Sequence, residues 1–198
     1  MKCLVWITEV FFRGYQSRVY GKKKGCENMF ETGEYIVYGK NGICQVMGVT
    51  TMDMEGIPKD CLYYILRPDG ETEGTIFTPV DNKKMVMRRL LTKEEAEELI
   101  DEIPDMEVLS IENEKLREEA YKECIRSCQC RELMKMIKTI RFRKRDRLSR
   151  GKKITATDEK YLRTAEENLY TEFSMLLDVP KNRMEDYIRR RIKDDIKI

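Results

Sequence analysis

Residues Glu34 to Val49 read EYIVYGKNGICQVMGV, and this stretch decides the fold of the N-terminal half. EYIVY (Glu34 to Tyr38) and GICQVMGV (Gly42 to Val49) are β-rich runs on either side of Gly39-Lys40-Asn41-Gly42, whose Asn-Gly pair is a strong tight-turn signal. Further short runs follow at Cys61 to Leu66 (CLYYIL), Thr75 to Val80 (TIFTPV) and Met85 to Arg88, with a loop at Pro68-Asp69-Gly70 to Gly74. About five short strands between Phe30 and Leu90 predict a small curled sheet or barrel of SH3 or Tudor type. Such a barrel buries little and has an exposed edge that can take a partner strand.

After Leu91 the period becomes helical. Thr92, followed three residues on by Glu95, matches a capping box and opens a helix that Pro104 ends. A second helix is expected from about Ile111 to Ser127, with Leu116, Ala120 and Cys124 on one face. A third, basic helix stops near Gly151. Thr155 or Thr157 can cap a fourth, on which Tyr161, Leu162, Ala165, Leu169 and Phe173 recur near helical spacing. Val179-Pro180 breaks it, and a fifth runs into the charged tail. The expected class is α+β: an SH3/Tudor-like β-barrel at 29–90, then a compact all-helical domain at 91–198. Residues 1–28 show no clear period and end in the basic run GKKKGCEN. They read as a non-native start before Met29, with an N-terminal arm as the alternative.

Charge is strongly segregated. Arg131 to Lys153, RELMKMIKTIRFRKRDRLSRGKK, holds eleven Lys or Arg against Glu132 and Asp146, a local +9 in a chain of net +2. Lys93 to Ala120 holds twelve Asp or Glu against Lys93, Lys115 and Arg117. Such a dipole argues for a polyanionic partner, nucleic acid before an anionic membrane. Leu133, Met136, Ile137 and Ile140 supply a packing face, while Lys135, Lys138, Arg141 and Arg145 fall on another and can meet phosphates. A merely solvated charged face is the competing reading.

No apolar run approaches the roughly 20 residues that span a bilayer, and Glu9 interrupts the apolar start MKCLVWITEVFF, which argues against a signal peptide. The seven Cys, an odd number, fit reduced thiols in a cytoplasm. His is absent, which removes the commonest general base and zinc ligand. Cys124, Cys128 and Cys130 form a CxxxCxC cluster, but a zinc site would need a fourth ligand from Cys3, Cys26, Cys44 or Cys61, and paired CxxC spacing is lacking. Neither Walker, GxGxxG nor GxSxG motifs occur. The reading is therefore no enzyme, no cofactor and no metal, with a nuclease-like or thiol enzyme on the Cys cluster as the weakest alternative.

The stretch MFETGEYIVYGKNGICQV from Met29 resembles the opening of the CarD and CdnL family of bacterial RNA-polymerase-binding transcription regulators, and also the polymerase-interacting module of transcription-repair coupling factor. Downstream, KITATDEKYLRTAEENLYTEFS is similar to the family's capping residues and acidic-aliphatic helix, so the resemblance covers Met29 to about Ile192. It implies that the barrel docks on the protrusion lobe of the polymerase β subunit by adding strand to strand, through Thr50, Thr51, Met54, Thr75, Phe77 and Pro79. For Phe77 a core aromatic is the competing role. The resemblance also implies that the helical domain touches promoter DNA just upstream of the melted region and stabilises the open complex. The residues expected on DNA are Arg117, Lys122, Lys138, Arg141, Arg143, Lys144, Arg145, Arg147, Arg150, Lys152 and Lys153, mainly as backbone contacts without sequence readout. Many relatives carry a wedging Trp before a Tyr-Lys pair. In this chain the position counted back from Tyr121-Lys122 falls near Arg117, and the one Trp is Trp6. The expected protein is a monomeric, cytoplasmic regulator, associated with the nucleoid through polymerase. The alternative is a protein-interaction adaptor whose basic helix meets an acidic protein surface.

Overall fold

The structure, a computed structural model, describes residues 30–52, 61–70, 74–111 and 113–192. The segment 1–28, Met54 and the charged tail after Ile192 lie outside the described residues.

Five antiparallel strands form one sheet in the order β4-β3-β2-β1-β5: β1 (Tyr35–Tyr38), β2 (Ile43–Thr51), β3 (Leu62–Pro68), β4 (Ile76–Pro79) and β5 (Met87–Arg89). The expected β1–β2 hairpin is present, with Tyr35 opposite Gln45 and Val37 opposite Ile43. Its connection is a 3-10 turn over Gly39–Asn41, not a two-residue Asn-Gly turn. The left-handed positions are Gly39 (φ +49°) and Gly42 (φ +71°), where a β-carbon is disfavoured.

Period-2 alternation puts Ile36, Tyr38, Cys44, Val46, Tyr64 and Leu66 in a core on the inner face. A bulge between Val46 and Gly48 shifts the β2–β3 register and leaves Met47 exposed. The sheet is not closed. No ladder joins β4 to β5 among the described residues, so the α+β class holds with an antiparallel five-stranded sheet, and closure into the expected barrel is not confirmed. The reason lies in β5, which is three residues long and pairs only with β1 before the chain turns into the helices.

The helical half comprises α1 (Lys93–Asp101), α2 (Arg117–Ser127), α3 (Cys130–Ser149), α4 (Ala156–Leu177) and α5 (Lys181–Arg191). The Thr92 capping box forms: Glu95 N–H donates to Thr92 Oγ1 at 3.2 Å and Thr92 N–H to Glu95 Oε2 at 2.7 Å. Thr155, not Thr157, caps α4, accepting from Asp158 N–H at 3.1 Å. The second helix starts at Arg117 after a 3-10 turn, later than Ile111. Its buried residues are Tyr121 and Cys124, and Leu116 is exposed, which corrects the face expected for it. Leu133, Met136, Ile137 and Ile140 of α3 pack with Tyr161, Ala165, Leu169 and Phe173 of α4 in the helical core. A fully buried side chain of this size contributes about 1.5–3 kcal/mol over an exposed one.

Candidate docking and nucleic-acid surfaces

On the sheet, β5 faces the helices and β4 is the other edge. β4 pairs only with β3, Tyr63 opposite Pro79 and Ile65 opposite Phe77, so its second row of backbone groups has no strand partner among the described residues. Alternation sends Thr78 inward, buried against Tyr64, and Phe77 outward, where it is 46% exposed. Phe77 is therefore a surface aromatic, not a core one. Thr50 lies opposite Tyr63 and Thr51 opposite Leu62 at the end of β2, and Thr75 immediately precedes β4. Across three strands the outer face thus carries Thr50, Tyr63, Ile65, Phe77 and Pro79. Edge and face together form a mixed backbone and apolar surface, the kind that accepts an added strand.

The basic stretch divides into an inner and an outer group. Lys138 is half-buried and its ammonium is engaged: it donates to the carbonyls of Ile103, Pro104 and Met106 at 2.8, 2.9 and 2.6 Å, holding the chain that leaves α1. Arg141 is also turned inward, pairing Glu166 at 2.5 Å and Glu185 at 2.9 Å and donating to Tyr170 Oη at 3.2 Å. Burial pushes the Tyr170 phenol up to about 12, so it stays neutral beside them. Arg117 and Arg143 converge on the buried Asp158, with Nε–Oδ distances of 3.3 and 3.9 Å, and the Tyr121 hydroxyl donates to the same carboxylate at 3.1 Å.

These four cations, expected on DNA, act as internal ties: Arg117, Arg141 and Arg143 between α2, α3, α4 and α5, and Lys138 between α3 and the chain that leaves α1. The physical reason is that α3 packs against neighbours on more than its apolar stripe. Its flanking cations meet acids from α4 and α5, and a buried cation must be paired.

The outer group is real surface. Lys144, Arg145, Arg150, Lys152 and Lys153 are exposed and Arg147 half-buried. The turn after α3 folds back, Gly151 N–H donating to Leu148 O at 3.0 Å and Lys152 N–H to Arg147 O at 2.8 Å, while Arg147 Nε donates to Lys153 O at 2.9 Å. Lys152 and Lys153 therefore sit beside the end of α3. Lys122 lies on another helix among its own acids, Glu118 and Glu119 at 3.4 and 3.6 Å. Arg150 pairs Asp146 at 2.8 Å.

A group that the sequence reading missed joins the two halves. Arg88 of β5 is clamped bidentate by the buried Glu172 of α4 (2.8 and 2.7 Å), and its Nε donates to Cys128 O at 2.6 Å. Glu172 also accepts from Leu91 N–H at 3.0 Å and from the Cys130 thiol at 3.2 Å. Cys128, left-handed at φ +54° between α2 and α3, donates its thiol to Gly39 O in the sheet turn at 3.5 Å.

One signal pointed to this joint: Glu172 falls on the stripe of Tyr161, Ala165, Leu169 and Phe173, and an acid on a core stripe requires a buried cation. Cys124, Cys128 and Cys130 are buried. Burial pushes the Cys124 thiol up to about 11 and the Cys130 thiol further, away from thiolate chemistry. No group of three His, Cys, Asp or Glu among the described residues is placed to hold a metal. No helix among them is long and apolar enough to cross a membrane.

Residues 30–91 match the family model of the CarD-like/TRCF RID domain, the segment that forms the whole five-stranded sheet. The resemblance seen in the opening motif thus holds for this module. No curated protein matches the chain.

Proposed function

We propose, from the premise that residues 30–91 are a CarD-like/TRCF RID domain, that this chain is a non-enzymatic transcription regulator bridging RNA polymerase and promoter DNA. A RID domain supports a polymerase-interacting role, and the observation that carries the reading is the match together with the unpaired edge β4 within it. The edge strand and Phe77 dock on the protrusion lobe of the β subunit. The helical domain then brings the outer cations, Lys144, Arg145, Arg147, Arg150, Lys152 and Lys153, to the phosphates upstream of the melted region. Each contact raises the effective concentration for the other, and the open complex is stabilised. The site of action is the cytoplasm, at the nucleoid.

The test is open-complex lifetime on a promoter with the full chain, alongside binding to the isolated β protrusion. Neutralising Lys144, Lys152 and Lys153 together should abolish the lifetime effect and leave lobe binding intact. Joint loss of both, or loss of neither, contradicts the reading. The internal pairing of Lys138, Arg141, Arg117 and Arg143 favours a second reading, a protein adaptor, because it shrinks the cationic surface. An adaptor shows no DNA affinity even at low salt.

A further inference from the structure

Two apolar side chains of α3 do not join the core. Leu133, Met134, Met136, Ile137 and Ile140 are buried, but Phe142 is 56% and Leu148 55% exposed. Aromatic residues are not strong helix formers, so helix propensity does not account for a solvent-facing phenyl in the middle of this element. The ring is also ordered by its neighbour: the Arg145 guanidinium lies over it at 5.2 Å from the centroid, a cation–π pairing.

Phe142, Arg145 and Leu148 recur every three residues, a diagonal stripe about 9 Å long at 1.5 Å rise per residue. Lys144 flanks it and the folded-back turn brings Lys152 and Lys153 to its far end. Between Leu133 and Lys153 the one acid is Asp146, and Arg150 holds it at 2.8 Å.

We infer that this stripe is a base-stacking platform for single-stranded nucleic acid, Phe142 stacking on an unpaired base while the surrounding cations hold the adjacent phosphates. The inference rests on the proposed nucleic-acid role of the helical domain. It concerns α3, whereas the position where related proteins carry their Trp falls near Arg117, which Asp158 holds at 3.3 Å. The combination is what a single strand needs: a flat apolar face that any base can cover, within a cationic track for the backbone. Charge complementarity selects this occupant over an acidic helix of a protein, which offers no flat π-face. An anionic lipid surface requires one broad apolar helix face, and that of α3 is already packed in the bundle.

The test uses the full chain and fluorescence anisotropy with short oligo-dT, and with a sugar-phosphate strand of equal length that lacks bases. Phe142→Ala should weaken oligo-dT binding about tenfold, within the range measured for stacked bases. It should leave the baseless strand and the salt slope unchanged, and Phe142→Trp should retain wild-type affinity. Neutralising Lys144, Lys152 and Lys153 should instead weaken both strands and flatten the salt slope.

Equal affinity of Phe142→Ala and wild type for oligo-dT overturns the inference, as does an equal loss on the two strands. So does a Phe142→Ala defect confined to phosphatidylserine vesicles. If the wild type binds no oligonucleotide, this inference falls with the DNA half of the proposed function. Docking of the same sample on the β protrusion reports separately on the other half.

Discussion

Replacing Glu172 by Gln keeps the shape of the side chain and removes its charge from the joint between sheet and helices. Its carboxylate is 3% exposed and the Arg88 guanidinium 15%, so solvent cannot take over the lost partner. Breaking a buried pair from one side costs about 3–5 kcal/mol. Gln can still accept from Leu91 N–H, and Arg88 still donates to the carbonyls of Cys128 and Arg89, which places the expected loss at the lower end, about 3 kcal/mol. In urea denaturation, with a slope of about 2.5 kcal/mol per molar, the midpoint should fall by about 1.2 M. The double variant Arg88→Met with Glu172→Leu should recover most of this, because exchanging both buried charges for apolar groups is often neutral or stabilising. With the single changes Arg88→Met and Glu172→Leu completing the cycle, the coupling should be at least about 2 kcal/mol. A midpoint shift for Glu172→Gln under about 0.3 M, or strict additivity of the two single changes, would refute the account of the joint.

Four further outcomes follow from the same structure. Phe77→Ala should leave the melting temperature nearly unchanged, since exposed positions shift stability by about 0.5 kcal/mol or less, yet weaken binding to the isolated β protrusion about tenfold; equal binding would remove Phe77 from the interface. Phe173→Ala should destabilise by about 3–5 kcal/mol in calorimetry, because the ring is fully buried in the helical core. The Arg89 guanidinium, then the Thr92 N–H, hold the Glu95 carboxyl down at about 2. Its stabilising contribution is therefore present above the ordinary carboxylate range and lost as pH falls towards 2, and an NMR titration should show its midpoint well below the ordinary carboxylate range. Iodoacetamide should label Cys61, which is partly exposed, ahead of the buried Cys124, Cys128 and Cys130 in the native protein; rapid labelling of Cys130 would contradict its burial.

The strands and the Thr92 cap were legible because their signals are local: alternation over a few residues, or a hydroxyl three residues from the N–H that it accepts; for the cap of α4 the same signal left Thr155 and Thr157 both open. The helical stripe of Leu133, Met136, Ile137 and Ile140 was legible for the same reason. The same periodicity gave the angle of Lys138 and Arg141 on α3 but not what packs there, since Glu166 and Glu185 reach Arg141 from α4 and α5, and the carbonyls of Ile103, Pro104 and Met106 reach Lys138 from the chain after α1. These two therefore read as surface cations and are internal ties. Sheet closure was not legible because it depends on β4 and β5 meeting, and β5 is drawn instead towards the helices by Arg88. Alternation alone left the side of Phe77 undecided; the β3–β4 register settles it by placing Thr78 opposite Tyr64 on the inner face.

On the proposed function, the joint also decides what kind of bridge the chain can be. A flexible link between two weak surfaces raises local concentration but leaves their relative direction free. Here β5 is part of the five-stranded sheet, and its Arg88 is fastened to α4, which packs on the basic helix α3. A partner strand on β4 therefore fixes where the end of α3 points. If a directional contact of this kind underlies regulation, weakening the joint and weakening the cations should fail differently. Glu172→Gln should retain lobe binding and oligonucleotide affinity, each measured alone, and lose open-complex stabilisation. Neutralised cations should lose affinity for the oligonucleotide itself. A Glu172→Gln protein that still prolongs the open complex would show that proximity suffices, and the fixed angle between the two surfaces would then play no part in the effect.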